Sequence, residues 1–168
     1  MRKFVLKSMI AVTLLTGVTE TITYINTPTV EAKTLSKKKV KKVNKALKKA
    51  LKEDQGFANG TLDENGKPTE NGTPNPKFDY ATYVNSLKYQ SSGAVKVQMN
   101  DKLTSLNTAQ MDEIAHNIQG LVDSTLMIEE VITPEDTTKG VYLNFYYGQR
   151  AIGHSKLSDH KEFKWYTN

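Results

Sequence analysis

Few side chains in this sequence are suited to moving protons or holding a metal. There are three histidines, His116, His154 and His160, and histidine is the side chain whose ordinary pKa lies nearest neutrality. His154, Asp159 and His160 lie close enough in sequence to offer two or three ligands of a zinc-like site. Their spacing matches no metal motif, so solvated histidines are expected, with no metal and no cofactor. His116 falls off the apolar stripe of its helix and reads as surface. Glycosidase chemistry needs two carboxylates facing one bond. Asp112/Glu113 and Glu129/Glu130 are instead sequence neighbours, splayed about 100° apart on a helix and expected to be solvated. The chain contains no cysteine, so a nucleophile would have to be a serine or threonine. None sits in a Gly-x-Ser-x-Gly or Ser-x-x-Lys setting that would activate it. No glycine-rich loop has the strand and helix flanks of a phosphate cradle. No catalytic residue is assigned.

Residues suited to binding are more prominent. Between Val141 and Tyr147 apolar and polar positions alternate, which places Leu143 and Phe145 on one side of a strand and Tyr142 and Tyr146 on the other. With His154 on the next strand, Tyr142 and Tyr146 form a candidate ligand face, extended by Trp165 and Tyr166. An exposed aromatic row beside polar Asn144 would stack on sugar rings or grip a peptide. The competing arrangement packs Tyr142 and Tyr146 beneath a helix.

The second binding feature is electrostatic. Ten lysines and one glutamate lie between Lys33 and Glu53, a local charge of +9, whereas the chain from Asp54 onward carries −5. Ser36 reads as a helix N-cap and Gly56 as the stop. Over this segment Val40, Val43, Leu47, Ala50 and Leu51 fall in a stripe roughly 100° wide. Lys37, Lys38, Lys41, Lys42, Lys45, Lys48, Lys49 and Lys52 take the opposite side, and Lys39 flanks the stripe. Five like-charge pairs at i, i+4 (Lys37/Lys41, Lys38/Lys42, Lys41/Lys45, Lys45/Lys49 and Lys48/Lys52) each cost about 0.2–0.5 kcal/mol. A helix this short is marginal alone. It needs a surface to lie on, and its eight outward lysines are candidates for contact with an anionic one.

The elements that must position these groups follow from periodicity. Asn59-Gly60, Asn65-Gly66, Asn71-Gly72, Pro68, Pro74 and Pro76 make 56–77 a connector, with one hairpin turn at Thr61–Lys67. Strands are expected at Val84–Tyr89 and Ala94–Met99, joined by a turn at Ser91–Gly93. Asn107 and Gln110 make a capping box, and Leu106 can staple onto Met111. The apolar spacing of Met111, Ile114, Ala115, Ile118, Leu121, Val122 and Leu126 then predicts a helix to about Glu130. Strands follow at 141–147 and 151–155, with a short last one near Phe163 and Trp165. The expected fold is α+β: a small antiparallel sheet, β-β-α-β-β, packed on one long helix and preceded by the basic amphipathic helix.

Composition sets the outer bounds. Hydrophobic residues make up 38 % of the 168 and charged residues 24 %, enough apolar content for a packed core and against wholesale disorder. Arg2, Lys3 and Lys7, the apolar run from Met9 to Val18, and Val30-Glu31-Ala32 together read as a cleavable secretory signal over 1–32. The run is too short for a ~20-residue membrane span. Three further segments are expected: the lysine-rich helix at 33–55, the connector at 56–77 and an α+β domain at 78–168. Without cysteine, neither a disulfide scaffold nor a thiol-linked lipid anchor is available.

With its signal, its Lys33–Glu53 arm and the stretch beginning Gln55-Gly56-Phe57-Ala58-Asn59-Gly60, the chain resembles small uncharacterised secreted proteins of Gram-positive, lactobacillus-type bacteria. The resemblance implies a secreted or noncovalently cell-surface-associated protein and no particular activity. The sequence as a whole points to an exported, non-enzymatic binding or interaction protein, retained by its lysine helix on an anionic envelope polymer or membrane surface. Nucleic acid suits the charge but not the compartment and is not expected. An envelope-polymer hydrolase and a membrane-active or immunity-type factor are the alternatives.

Overall fold

The computed structural model describes residues 35–166; the expected signal segment lies outside them. The first helix, α1, spans Lys37–Ala58. Ser36 caps it, its hydroxyl accepting from the Lys39 amide at 3.2 Å, which satisfies one of the donors that a helix start leaves open. Val43, Leu47 and Leu51 recur every four residues and are buried. Gly56 does not end the helix as the sequence predicts. It lies inside α1 and is buried there, because the connector folds back against it: a Cβ on Gly56 would sit 2.6 Å from Leu62 Cδ1. Glycine is required at that position for close approach, not for chain reversal.

The connector makes its hairpin turn, with Leu62 bridged to Pro68 and the Asp63 amide donating to the Lys67 carbonyl at 2.8 Å. It returns to α1 through stacking of Phe57 on Phe78, 5.0 Å between ring centres. A 3₁₀ segment, Pro76–Tyr83, then leads into the sheet.

Five strands follow: β1 at Val84–Tyr89, β2 at Val95–Met99, β3 at Leu143–Tyr147, β4 at Arg150–Ser155 and β5 at Phe163–Trp165. They lie side by side in that order. The sheet is mixed, not antiparallel as expected. β1/β2, β3/β4 and β4/β5 pair antiparallel, but β2 and β3 run parallel. The reason is the single long helix α2, Thr108–Ile128, between them. Twenty-one residues make about 32 Å of helix, which carries the chain back along the sheet, so the next strand starts from the same end as β2. The Asn107 side chain and Gln110 form the expected capping box at its start.

Residues Val43 and Leu47 of α1, Ile118, Val122 and Leu126 of α2, and Val97, Leu143 and Phe145 of the sheet belong to one apolar cluster and have no exposed surface. Both helices therefore cover the same face of the sheet. In β2 and β3, fully buried residues alternate with half-buried ones, the signature of a sheet packed on one side only. Asp123 fastens the start of β3 to α2: its Oδ1 accepts from the Val141 amide at 3.1 Å and from Gln119 Nε2 at 2.8 Å. Among the described residues, no helix is long and apolar enough to cross a membrane.

Candidate functional surfaces

The apolar stripe of α1 is spent on the core, and this determines what the helix can offer outward. Lys37, Lys38, Lys41, Lys42, Lys45, Lys48, Lys49 and Lys52 are all exposed, and Lys39 is half-buried. Among the described residues only Lys42 of this set is ion-paired. Its Nζ lies 2.9 Å from Glu129 Oε2, within ion-pair distance but off the angle of a hydrogen bond. The Lys42 side chain is exposed while the Glu129 carboxylate it meets is mostly buried. The remaining lysines present a fixed row of positive charge to solvent.

The helix is pinned as well as packed. Asn44 reaches the edge of the sheet, and Gln55 Nε2 donates to the carbonyls of Ala81 and Val84 at 3.1 and 2.8 Å. The Tyr80 hydroxyl donates to the Asp54 carboxylate. Burial pushes both of those groups above their ordinary pKa values, and the shared hydrogen bond pulls the Asp54 carboxyl back toward ionisation. Between these anchors runs a groove lined by Asn44, Lys48, Lys52, Gln55, Ser86 and Lys88. Sequence reasoning did not anticipate it, because no local pattern tells which strand a helix will lie beside.

The tyrosines and histidine expected to share one face of the sheet do so, and Trp165 does not join them. Tyr142, Tyr146 and His154 are half-buried on the side of the sheet away from both helices, so the arrangement that packed the tyrosines beneath α1 does not occur. The Tyr142 hydroxyl lies 2.8 Å from His154 Nδ1, with the rings 6.0 Å apart and nearly parallel. His154 Nδ1 also lies 2.7 Å from the Ser155 carbonyl. With its proton on Nε2 the ring accepts from Tyr142; with the proton on Nδ1 it donates to Ser155. Desolvation, then the nearby Tyr166, raises the Tyr142 pKa. Tyr146 lies under Lys96, whose Nζ is 4.3 Å from the ring centre, a cation–π contact. Tyr166 joins this face, its ring 5.6 Å from His154.

Trp165 does not. It lies on the helix side, 4.8 Å from Phe145, and donates from Nε1 to Asp112 Oδ1 at 2.7 Å. Gly153 makes the room, since a Cβ there would meet Trp165 Cε3 at 2.4 Å. Neither acid pair is therefore merely solvated: Asp112 holds Trp165, and Glu129 meets Lys42. His116 is exposed, as expected, with its ring edge-on to Phe163 at 5.2 Å. His160 turns to the Gly140 carbonyl through Nδ1 at 2.9 Å, and its ring meets Tyr142 at 5.2 Å. Among the described residues, no group of three or more histidines and carboxylates is placed to hold a metal ion.

Comparison with known protein families, with characterised proteins and with solved structures gives no match.

Proposed function

We propose that this protein is an exported, non-enzymatic binding protein held at an anionic cell envelope through the lysine face of α1. One observation carries the reading: the helix's Val43, Leu47 and Leu51 are already buried, while its lysines stay exposed and almost unpaired. A docked helix has no apolar stripe left to sink into lipid, which favours a surface polyanion over membrane insertion. Docking fixes the backbone that carries the lysines, so the cost of forming the helix is already met when a polyanion engages them, and only side-chain freedom is lost. The i, i+4 repulsions along the helix are relieved by the same contact.

The test is retention of the purified protein on immobilised polyphosphate as salt is raised, alongside the variant carrying Lys38→Gln, Lys41→Gln, Lys45→Gln and Lys49→Gln. Each lysine near an anionic surface is worth up to ~1 kcal/mol, so the quadruple variant should bind at least ~10-fold more weakly and elute at lower salt. Four of the five like-charge pairs disappear with it, so its thermal midpoint should hold or rise. Retention indifferent to salt or to the four substitutions would defeat the proposal.

A further inference from the structure

The uncovered face of the sheet carries an arrangement that appears only once the strand register is known. Lys88 pairs with Lys96, Lys96 with Asn144, Asn144 with His154, and His154 with Lys164. One residue from each strand thus falls in a single transverse row, about 19 Å long at the usual strand spacing. Three of the five are lysines. Lys88 and Lys96 stand directly opposite each other, a placement that like charges ordinarily avoid. No aspartate or glutamate occurs anywhere in the five strands, although the chain from Asp54 onward is net negative. Among the described residues no carboxylate pairs with Lys88, Lys96 or Lys164. Beside the row stand the rings of Tyr142, Tyr146 and Tyr166, and Tyr166 is 50 % exposed.

We propose that this face binds an acidic polysaccharide. The lysines meet its carboxylates, the exposed Tyr166 ring takes the C–H face of a sugar ring, and Asn144 supplies a hydroxyl-matching amide. Three observations favour this occupant over others. The row crosses the middle of a sheet whose backbone groups are engaged strand to strand, so an extended peptide cannot join by edge pairing. A polyphosphate would satisfy the lysines but leave the half-exposed Tyr166 ring without a partner. A neutral glycan would leave three lysines without one. The Lys88 end of the row shares a groove with Lys48 and Lys52 of α1, but the stretch from Lys96 to Lys164 lies on the sheet face away from the helices, and it is this stretch that the proposal needs.

The experiment titrates polygalacturonate, polyphosphate and neutral dextran into the full chain carrying the four α1 Lys→Gln substitutions, which weakens that surface's contribution to the measurement. Polygalacturonate should bind and dextran should not. Adding Lys96→Gln and Lys164→Gln should weaken polygalacturonate about 10-fold or more. Tyr166→Ala, at an exposed position, should weaken polygalacturonate severalfold and leave polyphosphate unchanged, with near-ultraviolet dichroism confirming the fold in each case. Three results would overturn the proposal: no polygalacturonate binding; binding unmoved by the lysine pair; or Tyr166→Ala weakening polyphosphate as much as polygalacturonate.

Discussion

Asn44 on the lysine-rich helix bonds both backbone groups of Tyr89 on the edge strand β1: Oδ1 accepts from the Tyr89 amide at 2.7 Å and Nδ2 donates to its carbonyl at 3.1 Å. One side-chain amide here does the work of a neighbouring strand. It closes part of the edge that would otherwise be open to another chain, and it fixes how α1 lies along the sheet. Removing it strands two part-buried backbone groups at about 1–3 kcal/mol for the loss. Asn44→Ala should therefore lower the free energy of unfolding measured in urea by that amount, while Asn44→Asp, which keeps the acceptor and loses the donor, should fall between. An Asn44→Ala protein as stable as the parent would mean that α1 is held by its apolar stripe alone.

Asp123 ties stability to pH. Burial raises its pKa, opposed by the hydrogen bonds from Gln119 and Val141 and by the charges of Lys161 and His160. A carboxyl whose folded pKa exceeds its unfolded value binds a proton more tightly when folded. Its ionisation therefore costs stability, and that cost grows as pH rises from the ordinary carboxylate value of 3.8 through the raised one. Asp54 acts in the same direction. Asp123→Asn preserves an oxygen for the Val141 amide and removes the charge. It should be at least as stable as the parent at pH 7 and should lose part of the parent's gain on mild acidification. Asp123→Leu leaves the Val141 amide and Gln119 without a partner and should cost about 1–3 kcal/mol at every pH. Denaturant midpoints at pH 5 and pH 7.5 for the three proteins decide this; an Asn variant with the parent's full pH dependence would contradict the assignment.

Features set by a short stretch of chain were readable beforehand. The i, i+4 spacing of Val43, Leu47 and Leu51 fixed which side of α1 faces inward. Asn107 and Gln110 marked the start of α2, and the alternation of Leu143 and Phe145 with Tyr142 and Tyr146 sorted β3 into two faces. What depended on distant partners was not readable. The direction of β3 relative to β2 follows from how a lone helix returns the chain, a property of connection and not of pattern. Trp165 sits in a three-residue strand, too short for alternation to reveal its side, and that side is decided by the space over Gly153. Gly56 looked like a helix stop because glycine often is one, whereas its neighbour Leu62 gives the actual reason. The lysine row could not be seen because Lys88, Lys96 and Lys164 carry no local signature and meet only through four successive strand pairings.

The layered plan sets one further expectation. α1 carries its lysines beside the edge strand β1, where Lys48 and Lys52 share a groove with Lys88, and the row continues from there across the other face of the sheet to Lys164, so positive charge extends over two faces. If both surfaces engage acidic polymer, one molecule can hold two chains, the second captured at the high effective concentration the first provides. Mixing protein with long polygalacturonate should then give light scattering that rises to a maximum and clears in excess polymer, where each face finds its own chain. The scattering should vanish at high salt. Either the four α1 substitutions or the Lys96→Gln, Lys164→Gln pair should lower the maximum and move it to higher protein concentration, while binding through the remaining face stays measurable. Two faces that each bind, in a solution that stays clear at every ratio, would show that a single chain wraps both sides and that the protein does not bridge.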